Sequence, residues 1–161
     1  MRAAVFDAYG TLFDVAGALR EAAEADPADW PGLAQLWRQK QLEITWLRAT
    51  AGRHADFWQV TEDALAWTLA RADLSTPELR QRLLDLYTEL PPHPEAEAAV
   101  RAMRARGLAT AILTNATPGM IDLLLEASAL GPLFDAVLSV EEVGVYKPDP
   151  SVYALATARF D

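Results

Sequence analysis

The sequence contains no cysteine. That excludes disulfides, thiolate-ligated zinc, iron–sulfur clusters and any thiol nucleophile. Lysine is almost as scarce, with Lys40 and Lys147 the only two, and 14 basic residues face 23 acidic ones for a net charge of −9. With this sign and no cluster of Lys and Arg, neither nucleic acid nor an anionic membrane surface is an expected partner. No apolar run is long enough for a spanning helix, and the stretch from Met1 to Phe6 stops at Asp7, too short for a signal peptide. A cytoplasmic protein is the expectation. His54 and His93 are the only histidines, and neither has a His, Cys or carboxylate at ligand spacing, so no metal site is expected on them. What is present is 161 residues, 52% apolar and 23% charged, the balance of a folded domain with room for an insertion.

Arg2 to Phe6 reads as a buried strand that runs into a turn at Asp7–Gly10. From Val15 to Leu90 the periodicity is helical, about four helices long. Leu33, Leu36, Trp37, Ile44 and Leu47 fall on one stripe, and the tryptophans are expected to fill the core of this block. Thr76–Pro77 has the form of an N-cap with proline at the first helical position. Pro91–Pro92–His93–Pro94 is a stiff connector and marks a boundary. Beyond it helix and strand alternate: a helix over Glu95–Arg106, a strand over Leu108–Leu113, a helix from Thr117–Pro118, a strand over Ala136–Ser139, and a helix capped by Asp149–Pro150. This order predicts an α/β fold, a parallel Rossmann-like sheet with a helical insertion after its first strand. The last helix has no strand to return to, so a chain truncated at its C-terminus, with a sheet edge left exposed, is expected.

Ligands of open parallel sheets sit beyond the carboxyl ends of the strands. Three segments leave those ends: Asp7 to Thr11, Thr114–Asn115, and Tyr146–Lys147–Pro148. Together they supply one carboxylate, hydroxyls, an amide and one amine. Each alone has an ordinary explanation as turn or surface chemistry, but their coincidence at equivalent positions suits covalent catalysis by a carboxylate that a lysine holds charged. Arg38 stands apart. Most arginines here have an acidic neighbour at helical spacing; Arg38 has none and sits one turn from Leu42, as an arginine facing a cleft would.

These residues match a known pattern. Phe6-Asp7-Ala8-Tyr9-Gly10-Thr11-Leu12-Phe13-Asp14 resembles the first motif of the haloacid dehalogenase superfamily, Leu113-Thr114-Asn115 its second, and Val143 to Pro150 its third. Trp37 to Glu43 and Trp46-Leu47-Arg48 are similar to the cap of its L-2-haloacid dehalogenases. The resemblance implies an α/β core over 1–14 and 92–161, with its last strands missing, and a helical cap over 15–91. The superfamily's phosphatases carry an acid two residues after the nucleophile to protonate a basic leaving group. Tyr9 holds that place here and is no acid at neutral pH. A halide needs no proton to leave, so residue chemistry and resemblance agree.

By that resemblance Asp7 attacks the α-carbon of an L-2-haloalkanoate and forms an ester that water hydrolyses to a 2-hydroxy acid. Thr11 hydrogen-bonds Asp7 and Lys147 orients it. Arg38 takes the halide with Gln39 and Tyr9 near it, and Thr114 and Asn115 meet the substrate carboxylate. Leu42 and Phe57 wall the alkyl part, and Tyr153 lines the site. The small-molecule haloalkanoate and halide are the implied partners, relatives are often homodimers, and no metal or other cofactor is implied. Thr114 stands where these dehalogenases usually carry serine, and their fourth motif would lie beyond Asp161. Two alternatives stay open at this point: a magnesium-dependent phosphatase of the same superfamily, and an inactive truncated fragment acting as a binding protein. A receiver-like phosphoacceptor fits less well, because the first strand supplies Asp7 without the acidic pair such modules use for magnesium.

Overall fold

The structure, a computed structural model, describes residues 2–17, 19 and 30–161. Its frame is a parallel sheet of three strands in the order β1 (Ala3–Phe6), β2 (Ala109–Thr114), β3 (Ala136–Ser139). All six residues of β2 are buried, as the apolar run Ala109–Thr114 requires of a central parallel strand. Phe6 pairs with Ile112 and Thr114 with Ser139, so the three strands end along one edge. Val5 on the outer strand β1 is 42% exposed.

Between β1 and the rest of the sheet stand α1 (Trp30–Thr50), α2 (Phe57–Arg71) and α3 (Pro77–Thr88). Val15–Gly17 and Leu19 are also helical; the remainder of the expected first helix of this block falls outside the described residues. The chain leaves the sheet and returns to it at one place: the amide of Asp14 donates to the Pro91 carbonyl (2.8 Å) and that of His93 to the Leu12 carbonyl (2.8 Å). After the return come α4 (Ala96–Ala105), β2, α5 (Pro118–Ala127), β3 and α6 (Pro150–Phe160). Thr76, Thr117 and Asp149 each cap a helix whose first residue is proline, as their dipeptides predict.

The tryptophans divide. Trp37 is buried and its indole N–H donates to the Thr61 carbonyl at 3.0 Å, but Trp46 is 55% exposed and Trp67 42%. Leu47, expected on the buried stripe, is exposed as well. The reason is phase: α1 turns Trp37, Gln41 and Thr45 inward, every fourth residue, which leaves 46 and 47 on the outer face. Trp67 instead lies under the Lys40 ammonium, 3.9 Å from the ring centroid.

A polar knot locks β2 to the approach to β3. Asp135 accepts from the Thr110 amide (2.8 Å) and from Arg104 (3.0 Å), while Arg104 also donates to the Leu133 carbonyl (3.0 Å). The Thr110 amide first, and Arg104 second, hold the Asp135 carboxyl below the usual aspartate range. A depressed folded-state pKa contributes stability that is present above the unfolded value of about 4 and is lost as pH falls through the folded one. In thermal melts Asp135→Asn is therefore expected to melt below the wild type at pH 7, with the gap closing as the pH is taken below about 4.

Candidate active site

Asp7 is the residue after β1 and is held by a tight turn. The amides of Thr11, Leu12 and Phe13 converge on the Ala8 carbonyl, and Gly10, at φ +80°, donates to the Phe13 carbonyl. Only glycine takes that backbone conformation without strain. Lys147 arrives from the far end of the chain, after a 3₁₀ turn over Val140–Glu142 and a second positive-φ glycine, Gly144. Its Nζ donates to Asp7 Oδ1 at 2.9 Å and to the Leu113 carbonyl. Asp7 Oδ2 has no hydrogen bond among the described residues. The lysine side chain is 20% exposed and the aspartate 39%, so solvent and substrate reach the carboxylate side of the pair.

A cavity of about 330 Å³ opens in front of this pair. Tyr9 lines it from the first turn, Arg38, Leu42 and Trp46 from α1, and Phe57 from the start of α2. Thr114 and Asn115 close it at the end of β2. Arg38 makes no hydrogen bond or ion pair with the described residues, so its guanidinium donors are available to an anion. Thr114 is buried; its hydroxyl oxygen accepts from the Ala116 amide (3.1 Å), which leaves its proton to donate. Asn115 Oδ1 accepts from the Lys147 amide (3.0 Å), so this residue also fixes the loop that carries the lysine. A neighbouring cavity of about 420 Å³ shares Tyr9 and Arg38 and reaches His93.

Tyr9 is 4% exposed, and its hydroxyl is buried without a hydrogen-bond partner. Burial first, and the neighbouring Tyr87 second, push that hydroxyl far above the ordinary tyrosine range, so it stays protonated. The ring lies flat on Tyr87 (centroids 4.9 Å apart, 14° between planes), and Tyr87 in turn meets Trp37 at 5.0 Å. Gln41 donates to the Tyr87 hydroxyl (3.1 Å) and to Thr61 (3.0 Å). These positioning contacts were not readable from the sequence: Tyr87 and Gln41 lie 46 residues apart and look like ordinary helical residues.

Of the expected site residues, Asp7, Tyr9, Arg38, Leu42, Phe57, Thr114, Asn115 and Lys147 are brought together. Three are not. Thr11 lies on the outer side of its turn, exposed, and its hydroxyl makes no hydrogen bond to Asp7. Gln39 is exposed because one residue along a helix is a rotation of about 100°, and α1 points Arg38 and Leu42 into the cavity. Tyr153 is 48% exposed for the same reason; its neighbour Val152 takes the inward position. No group of three or more His, Cys, Asp or Glu side chains converges as metal ligands among the described residues. No helix among them is long and apolar enough to cross a membrane.

A family model described as haloacid dehalogenase-like hydrolase matches residues 1–161. The chain belongs to that family. It is 44% identical over 162 residues to (S)-2-haloacid dehalogenase 1 of Pseudomonas sp. (strain CBS-3), a match that covers 100% of this chain and 71% of the relative. Against the (S)-2-haloacid dehalogenase of Pseudomonas putida the identity is 43%, over 96% of this chain and 69% of the relative. Among solved structures, the L-2-haloacid dehalogenase of Xanthobacter autotrophicus with chloropropionic acid covalently bound superposes with a TM-score of 0.88 at 41% identity, covering 99% of this chain and 65% of that one.

The orphaned Tyr9 hydroxyl yields a stability prediction. Removing a buried hydroxyl that has no partner relieves a desolvation penalty, so Tyr9→Phe is expected to leave denaturant stability unchanged or raise it by about 1 kcal/mol. Tyr87→Phe, which strips a partner from the buried Gln41, is expected to cost about 1–2 kcal/mol. A clear loss in Tyr9→Phe would mean that its hydroxyl has a partner in solution.

Proposed function

We propose that this protein hydrolyses L-2-haloalkanoic acids to 2-hydroxy acids through an ester on Asp7. The observation that carries the reading is the one-sided grip of Lys147 on Asp7: one carboxylate oxygen is held, and Asp7 lines a cavity that Arg38 also lines. A carboxylate placed so is an oriented nucleophile, and the tyrosine two residues on offers no acid for a basic leaving group. That argues for halide displacement over phosphoryl transfer. The (S)-2-haloacid dehalogenase names of the relatives support the substrate class and its hand, and the covalently bound chloropropionic acid in a structural neighbour supports the ester route.

The steps follow from what faces the cavity. The substrate carboxylate takes the Thr114 hydroxyl proton and the free Asn115 amide hydrogens as donors. Asp7 Oδ2 forms a bond to the α-carbon from the side opposite the halogen, the carbon–halogen bond breaks with its electron pair, and the centre inverts. The halide leaves toward Arg38. Water then adds to the Asp7 ester carbonyl, and collapse releases the 2-hydroxy acid and a proton and restores the carboxylate. Leu42 and Phe57 flank the alkyl group and keep bulk water from the α-carbon. In this reading the block α1–α3, within 15–91, is a cap that supplies the halide site to a core formed by 1–14 and 92–161.

Halide release from L- and D-2-chloropropionate in the presence of EDTA tests the proposal. Sustained release from the L form alone is expected, and Asp7→Asn should lower it by at least about a thousandfold, as loss of a covalent nucleophile does. Release from the D form, or a requirement for added magnesium, would overturn the reading.

A further inference from the structure

Glu141 and His54 are 87 residues apart in sequence and, read locally, look like a solvated turn residue and an isolated histidine. In the fold they meet. His54, in the loop between α1 and α2, places Nε2 2.9 Å from Glu141 Oε2, and both side chains are only about a quarter exposed, 25% and 24%. The other carboxylate oxygen, Oε1, is buried with no hydrogen bond, so His54 is the side-chain partner of this carboxylate. Glu141 is itself a fixed point. Its amide donates to Ser139 Oγ (3.2 Å), and that hydroxyl donates to the Ala116 carbonyl (2.7 Å), which ties the turn to the ends of β2 and β3.

The same loop grips the residue before the lysine. The His54 ring lies against the Tyr146 ring, centroids 4.8 Å apart, and the Tyr146 hydroxyl accepts from the Ala55 amide (3.2 Å) and donates to the Ala55 carbonyl. Tyr146 is 1% exposed. Lys147 is thus held from three directions: Asn115 on its amide, Asp7 and Leu113 on its ammonium, and Tyr146, pinned by 54–55, on its N-terminal side. Residues 54 and 55 do not line the cavity. Their reach into the site runs through Tyr146.

We propose that His54 is a positioning residue: bonded to Glu141 and packed against the Tyr146 ring, it fastens the α1–α2 loop to the loop of Lys147 and thereby sets the Lys147–Asp7 contact. The effect on rate rests on the dehalogenase reading above. The effect on Lys147 does not. Because the chain has only Lys40 and Lys147, selective carbon-13 labelling of the lysine ε-carbon gives two signals, which Lys147→Arg assigns. In His54→Ala the Lys147 signal is expected to move toward that of a solvated lysine as the Asp7 contact loosens, while Lys40 stays put. His54→Gln, which keeps a donor for Glu141, should recover most of that shift. On halide release, His54→Ala should lower kcat about fivefold to tenfold with KM within about twofold, and the loss should shrink below about twofold when Lys147→Arg is already present, because one residue acts through the other.

An unmoved Lys147 signal in His54→Ala would overturn the proposal, as would rate losses that multiply in the double variant. If His54→Ala melts too low to measure, Glu141→Gln asks the same question of the lysine signal from the other partner. A wild type that releases no halide would sink the proposed function and leave the lysine signal to decide His54.

Discussion

An ammonium 2.9 Å from one oxygen of a carboxylate does two things at once. It orients the carboxylate, and it leaves the second oxygen unbonded. Because Lys147 also donates to the Leu113 carbonyl, its own position is taken from the end of the central strand and not from Asp7 alone. The pair is too exposed for its electrostatics to add much to stability. Its work is geometric. The parallel register that brings Phe6, Thr114 and Ser139 to one edge is what allows residues 140 positions apart to meet, and the turns around Gly10 and Gly144 carry the chain across that edge.

Opposite this rigid pair stands a wall built from another part of the chain. Arg38 and Leu42 come from α1, which is held in place by Trp37 and Gln41 one residue behind each of them. Gln41 and Trp37 meet Tyr87, and Tyr87 stacks on Tyr9, beside Asp7. The aromatic stack therefore links the helical block to the first loop of the sheet through a dry contact, in which a charged side chain in the place of Tyr9 would be costly. The residue type that removes an acid from the reaction also provides the flat surface on which the two parts of the molecule meet.

Much of this was legible in the sequence because it depends on local rules. Strand ends, the Thr–Pro and Asp–Pro helix starts, and an arginine with no partner on its own helix are all short-range signals, and each falls within a residue of where it was read. The residues placed away from the cavity share one cause. Gln39 and Tyr153 are off by a single helical step, and Thr11 by a single step round a turn; motif resemblance names neighbours without fixing which way each points. A closer account of phase separates them, since Trp37, Gln41 and Thr45 are the inward series of α1, and Arg38 and Leu42 the adjacent one. The ties of Tyr87 to Gln41 and of His54 to Glu141 lie beyond such reasoning. They join surfaces whose meeting depends on the whole fold.

Charge explains how an acidic protein accommodates an anionic substrate. The net charge of −9 gives no long-range attraction, and screening confines any single charge to about 8 Å at physiological ionic strength. Inside the cavity the balance differs. In the proposed reaction the charges of Asp7 and Lys147 cancel and that of Arg38 balances the substrate carboxylate, so the filled site is neutral. In the proposed displacement Asp7 becomes a neutral ester as a halide forms, so the site remains neutral while negative charge moves from the Asp7 carboxylate toward the guanidinium. The proposed displacement step creates no net charge in a partly desolvated space, which favours departure of a halide without a proton. In that proposal one cation, Lys147, belongs to the nucleophile and the other, Arg38, to the leaving group.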